Sequence, residues 1–326
     1  LRSTLRFREF LNDLVILSDF ASLREKIFVG VFLVKKLRDM LNKIKIFFEM
    51  IKFPHTVFAL PFAFTGAVLA AGGIPAMNKI LWIASAMVGA RTAAMGLNRL
   101  IDAEIDAKNP RTSGRAIPAG LLGKGTVAAF IAVSIVLFVY SAYRLNPLCL
   151  CLSPLALVLL TGYSYCKRFT SMSHLVLGLC LAVAPVGAWI AVTGTFAVSA
   201  LVLGLGVLFW VAGFDILYAL QDLEFDRSAG LHSIPARLGV KRSLLAARLF
   251  HLAMPVLLVA LYFMLNLGPV FLAGVLVAVA LLVHEHRLLR GGDLTRLDAA
   301  FFNVNGYISM AIFFFTLVDV LERGAA

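Results

Sequence analysis

From residue 55 onward the chain alternates long apolar runs with short polar connections. Each run is nearly uniform in its apolarity and about 17–22 residues long, close to what a helix needs to cross a hydrocarbon core. Strict period-two alternation is absent, which argues against barrel strands. A helix satisfies its own backbone groups in lipid, so it is the expected element. The pattern predicts nine spans, near 55–73, 80–98, 126–143, 147–163, 174–193, 199–218, 244–265, 268–284 and 300–319. Only "NLG" separates the seventh from the eighth, which predicts a short helix hairpin. The expected class is an all-α integral membrane protein with about nine transmembrane helices.

Residues 1–52 break the pattern. They carry eleven Lys or Arg and six Asp or Glu, interleaved with apolar residues. The stretch "KKLRDMLNKIKIFFEMIK" (35–52) predicts a cationic amphipathic segment lying at a membrane surface. The expected organisation is a basic amphipathic segment over 1–50 and a membrane domain over 51–326. The first Met is Met40, which raises the expectation that residues 1–39 extend the gene beyond its true start. N-terminal sequencing of the native product tests this; a product containing residues 1–39 rejects it.

Composition supports the membrane class. Apolar residues make up 61% of the chain and charged residues 15%, against about 45–50% and about 25% in soluble proteins. The net charge of +12 would raise nucleic acid as a partner, but no recognition motif for it is present. The basic residues instead mark orientation. The second connection (99–125) holds Arg99, Lys108, Arg111, Arg115 and Lys124, and the sixth (219–243) holds Arg227, Arg237, Lys241 and Arg242. The odd connections hold only Lys79 and Arg144. Positive residues are retained inside, so the N-terminus and the even connections are expected to be cytoplasmic, in a cell's inner membrane. Cys149, Cys151, Cys166 and Cys180 form no CxxC pair and read as small hydrophobes. Nothing in the sequence points to an obligate protein partner.

Against this apolar background, two acidic clusters stand out. In "GLNRLIDAEID" (96–106), Asn98, Asp102 and Asp106 lie four apart, so on a helix they drift only about 80° in total. Arg91, seven residues before Asn98, falls near the same stripe, while Glu104 points away. In "FDILYALQDLEFD" (214–226), Asp215, Asp222 and Asp226 share a stripe with Tyr218 nearby, and Glu224 lies off it. Clustered carboxylates repel one another unless cations neutralise them. Mg²⁺ takes oxygen ligands, often one or two carboxylates together with substrate phosphates. Two acidic stripes facing one pocket could hold a pair of Mg²⁺ ions against a diphosphate, with Arg111, Arg115 and Lys167 neutralising the remaining charge. Intramembrane acids also serve proton or cation pathways. Transporters, however, tend to place such groups near the bilayer midplane, and these acids sit toward one interface. Arg91 lies deeper, where it either serves function or pairs with Asp215 or another buried acid.

At these residues the chain resembles the UbiA superfamily of intramembrane prenyltransferases. One signature is Asn98-x-x-x-Asp102-x-x-x-Asp106, preceded by Arg91 and followed by Arg111 and Arg115-x-x-Pro118-x-Gly120. A second is Asp215-x-x-Tyr218-x-x-x-Asp222-x-x-x-Asp226. The segment ending in Lys167 and Arg168 resembles a third, weaker one. The resemblance covers roughly residues 50–320 and is nearest to the 4-hydroxybenzoate polyprenyltransferase subgroup. It implies nine helices around a central cavity, a polyprenyl diphosphate donor, and two Mg²⁺ ions held by Asn98, Asp102, Asp106, Asp222 and Asp226. It implies that Lys167 and Arg115 assist the diphosphate, and that Arg91 and Asp215 serve the aromatic acceptor. That acceptor is 4-hydroxybenzoate, or 1,4-dihydroxy-6-naphthoate as in menaquinone-route relatives; both are carboxylates, which suits Arg91. The expected role is in ubiquinone or menaquinone biosynthesis. The alternatives are another branch of the superfamily (haem, chlorophyll or glycerol-lipid prenylation) and a membrane carrier.

Overall fold

The computed structural model describes residues 32–52, 59–288 and 297–325. The chain divides into two compact units between Met50 and Ile51. In the first unit, α1 (32–50) exposes Phe32, Leu37 and Leu41 beside Lys35, Lys36 and Arg38. Lys45 and Glu49 form an i,i+4 pair at 3.9 Å along it.

In the second unit every regular element among the described residues is helical. The elements are α2 (Ala59–Ala71), α3 (Met77–Ile101), α4 (Ala103–Lys108), α5 (Lys124–Leu145), α6 (Pro147–Cys166), α7 (Ser173–Thr193) and α8 (Val198–Ala219). They continue through a 3₁₀ turn (Leu220–Asp222) into α9 (Leu223–Ser228), α10 (Ile234–Leu265), α11 (Pro269–Leu288) and α12 (Leu297–Ala325). The first expected span, 55–73, begins outside the described residues, and its described part is the 13-residue α2. The other eight each coincide with a helix long and apolar enough to cross a membrane. Val136, Leu252, Val256, Phe263 and Leu276 are all exposed on these helices, an outer surface suited to lipid rather than water. The chain is a multi-pass membrane protein.

Local signals set the ends. Asn146 caps α6, accepting from the Cys149 N–H at 2.8 Å, with Pro147 at the first helical position. Ser233 caps α10, accepting from the Ala236 N–H at 3.2 Å. Gly239 breaks the backbone within α10 at φ 73°, a conformation that strains any residue with a Cβ. At the expected hairpin, α11 begins under Asp319 of α12, whose carboxylate accepts from Gly268 N–H at 2.7 Å and Phe271 N–H at 3.0 Å. The negative charge also suits the helix N-terminus.

Large side chains pack between these helices, among them Phe62, Leu203, Trp210, Met254, Leu258, Phe271 and Ile308. Where α7 meets α8, backbone rather than side chain makes the contact: a Cβ on Gly178 would overlap the Leu208 carbonyl. Small residues permit such close approach in membrane bundles, where packing replaces the hydrophobic drive. A buried polar chain crosses the same bundle. The Trp210 indole donates to Asn305 at 2.8 Å, and the Asn305 amide donates to Glu285 at 2.9 Å. His251 and His286 meet at 3.0 Å nearby.

Candidate active site

A cavity of about 1130 Å³ runs through the second unit. Its walls are mainly apolar, with Met87 from α3, Leu159 from α6, Leu177 and Val183 from α7, and Leu208 and Phe214 from α8. It extends from the acidic motifs to Phe196 in the α7–α8 connection, at the opposite end of α8. Every candidate residue singled out from the sequence lines this one cavity, on Arg91 and Asn98 of α3 through to Asp226 of α9.

The expectation of two uninterrupted acidic helices needs correction. α3 stops at Ile101, and Asp102 unwinds slightly, at φ −88° and ψ 2°, before α4 begins. The i,i+4 bonding nevertheless persists: Asp102 N–H reaches Asn98 O at 2.9 Å and Asp106 N–H reaches Asp102 O at 2.8 Å. The shared face therefore survives the break. In the second motif the 3₁₀ turn separates α8, with Asp215 and Tyr218, from Asp226 on α9. Its tighter winding places Asp222 off the stripe that a continuous α-helix would give.

Each of three acids is matched by cations from elsewhere. Asp102 is only 2% exposed. Lys167 Nζ lies 2.8 Å from its Oδ2, and Arg168 Nη2 lies 3.3 Å from its Oδ1. Asp106, 4% exposed, takes Arg115 Nη1 on both oxygens at 2.7 Å. Asp222 receives a two-pronged bond from Arg111, through Nε at 2.8 Å and through Nη2. Asn109 donates to the same carboxylate at 3.0 Å. Burial draws the Arg111 guanidinium down, but its bonds to Asp222 more than offset this and hold it above its ordinary value. Its planar fork matches a carboxylate or a phosphate equally well. Arg111 also reaches the Tyr218 hydroxyl at 3.3 Å. The loop after the first acidic motif thus ties the second motif to it.

Asn98 donates to Asp102 Oδ2 at 3.1 Å and to Ser164 at 3.4 Å, while its own oxygen accepts from Arg99 at 3.3 Å. Asp226 is half-buried and lines the cavity. Glu104 and Glu224 are exposed, off the cavity. Among the described residues, no three His, Cys, Asp or Glu side chains converge closely enough to cage a metal ion by themselves.

Arg91 and Asp215 do not pair. Arg91 lines the cavity with a buried Nε that has no hydrogen-bond partner. Asp215 instead meets His174 Nδ1 at 2.7 Å. His174, Asn109 and Ser164 were not legible as site residues. Each belongs to a different segment from the acid or amide it touches, or follows it with no period to mark it. For His174, a polar residue in the first turn of an apolar span was the only signal.

Three comparisons bear on this arrangement. The sequence model of the UbiA prenyltransferase family matches residues 59–314. A protein named 4-hydroxybenzoate octaprenyltransferase, from Vibrio cholerae serotype O1 (strain ATCC 39541 / Classical Ogawa 395 / O395), is 31% identical over 246 residues, which is 75% of this chain and 86% of that protein. The apo structure of a UbiA homolog from Aeropyrum pernix K1 superposes with a TM-score of 0.75 at 32% identity, over 82% of this chain and 98% of that one. A UbiA homolog from Archaeoglobus fulgidus, bound to DMAPP and Mg²⁺, shares the fold with a TM-score of 0.63 at 16% identity, over 83% and 99% of the two chains.

Proposed function

The chain belongs to the UbiA prenyltransferase family, and from that premise we propose that it transfers a polyprenyl group from polyprenyl diphosphate to a ring carbon of an aromatic carboxylate, releasing diphosphate. The carrying observation is the cavity's division: cation-paired acids at one end, apolar walls beyond, and Arg91 with an unpartnered Nε between them. The name of the Vibrio cholerae relative favours 4-hydroxybenzoate as acceptor; 1,4-dihydroxy-6-naphthoate also carries a carboxylate and a hydroxylated, electron-rich aromatic ring. The transferase is assigned to residues 51–326, and α1 to the membrane surface. The basic even connections support a cytoplasmic acidic end.

The donor set fits Mg²⁺. All the candidate ligand atoms are oxygens, they come from two motifs at one end of one cavity, and among the described residues no protein cage closes without a further oxygen source. That matches an ion shared between carboxylates and substrate phosphates. Asn98, Asp102, Asp106, Asp222 and Asp226 would hold it. When bound, Mg²⁺ supplies Lewis-acid neutralisation of the leaving diphosphate.

The chain's own groups do the rest. Arg111, Arg115 and Lys167 are placed to exchange a carboxylate for phosphate oxygens and to take up charge as the allylic C–O bond breaks. The bond's electron pair leaves with diphosphate. The apolar walls keep water from the allylic cation. Arg91 holds the acceptor carboxylate and aims the ring. A ring carbon forms the new C–C bond, and the proton it loses passes to Asp215.

Membranes containing the protein, supplied with geranyl diphosphate, Mg²⁺ and 4-hydroxybenzoate, are expected to form prenylated acid and diphosphate, with EDTA stopping the reaction and Mg²⁺ restoring it. Silence with every aromatic acid tried rejects the reading and favours a carrier; EDTA-resistant turnover rejects the metal assignment alone. In the same assay Arg91→Ala is expected to raise acceptor KM about 10- to 100-fold, the worth of one charge-assisted bond, with donor KM unchanged. An equal loss on the donor would move Arg91 to the diphosphate.

A further inference from the structure

We propose that His174 is a positioning residue for the acceptor side of the reaction, holding Asp215 in place through its Nδ1–H; this rests on the role given to Asp215 above. His174 is 3% exposed, in the first turn of α7. Its ring joins two partners from other elements. Nδ1 lies 2.7 Å from Asp215 Oδ2 on α8, and Nε2 lies 3.2 Å from the Ile234 backbone N of α10.

The second contact settles the first. A backbone N–H can only donate, so Nε2 accepts and carries no proton. The single proton of the neutral ring then sits on Nδ1 and is donated to Asp215. One carboxylate oxygen is thereby committed to His174. The other remains for the cavity, where Asp215 is a lining residue. The Ile234 N–H is one of the donors that a helix start leaves without an internal partner. His174 therefore links Asp215 to the start of α10. The preceding loop is tied to the diphosphate end, since His232 N–H bonds Lys167 O at 2.7 Å. A carboxylate held this way cannot swing away between turnovers, and fixed orientation is worth large factors in rate.

The two ring nitrogens can be tested separately. Asn places its amide nitrogen about where Nδ1 stands, so His174→Asn keeps the bond to Asp215 and loses the one to Ile234. Gln places its terminal oxygen about where Nε2 stands, so His174→Gln keeps the helix cap and loses Asp215. We expect His174→Gln to lower kcat about 10- to 100-fold, with donor KM unchanged, and His174→Asn to retain most of the rate despite a lower unfolding temperature. The double variant His174→Gln/Asp215→Asn should be no slower than Asp215→Asn, because the first residue acts only through the second. An active Gln variant with an impaired Asn variant, or additive losses, overturns the assignment and leaves His174 as a helix cap. If Asp215→Asn itself runs at the wild-type rate, the role of Asp215 fails first and the His174 proposal falls with it.

Discussion

Asp102→Asn and Asp222→Asn should each lower kcat/KM by about 10³-fold or more, the scale on which removing a single charge-stabilising group from a transition state is felt. The two residues are chosen because they anchor opposite sides of the same polar end. Asp102 gathers Lys167, Arg168 and Asn98, and Asp222 gathers Arg111 and Asn109. Replacing either acid with its amide keeps the shape and removes one negative charge. On the proposed assignment the metal and diphosphate would then lose a ligand, and the cations lose the partner that orients them. Folding should suffer less than catalysis. Lys167 and Arg168 are each about a third open to solvent (31% and 30%), so water can take over their charge. Two measurements separate the effects: thermal unfolding in detergent, expected to shift only modestly, and calorimetric binding of Mg²⁺ with a non-reacting diphosphate analogue, expected to weaken strongly. Wild-type turnover in either variant removes that residue from the site.

The largest effect on stability is expected at Gly178→Val. A Cβ there would occupy the space of the Leu208 carbonyl on α8. Backbone cannot rotate away as a side-chain tip can, so α7 and α8 must separate. Overpacking of this kind costs about 1–3 kcal/mol and sometimes more; the upper end applies here because the clash is with main chain. α8 carries Asp215 and leads to Asp222, so parted helices also misplace the site. Gly187 is a control on the same helix. Nothing lies within 4 Å of a Cβ built there, and Gly187→Ala should hold stability or raise it by up to about 1 kcal/mol. Chemical unfolding in detergent micelles reads both variants. Equal stability of Gly178→Val and wild type would mean that α7 and α8 do not meet backbone to backbone.

How much of this was legible beforehand depends on the range of the interactions. The spans were legible because hydropathy over a helix length is a local property; even the hairpin at "NLG" follows from two apolar runs and three residues. The four-residue spacing of Asn98, Asp102 and Asp106 was legible for the same reason, and it outlasts the break at Asp102 because the i,i+4 bonds continue across it. The 3₁₀ turn that ends at Asp222 was not, since winding by three instead of four residues leaves no mark on an apolar pattern. The Glu285–Asn305–Trp210 chain was equally silent, because a lone polar residue in a span does not name its partner.

By itself, the sequence determined an all-helical membrane chain, two acidic motifs with their basic neighbours, and the residues from which a site could be made. Hydrophobic length and helical period suffice for that, since both act within one element. The tertiary structure alone decided which cation meets which acid, that Arg111 crosses 111 residues of chain to Asp222, that Arg91 does not pair with Asp215, and that Asp215 belongs to His174. Those partnerships depend on how the helices pack and where the loops return, and a close approach such as that of α7 to α8 is fixed by the fit of two surfaces rather than by the pattern of either.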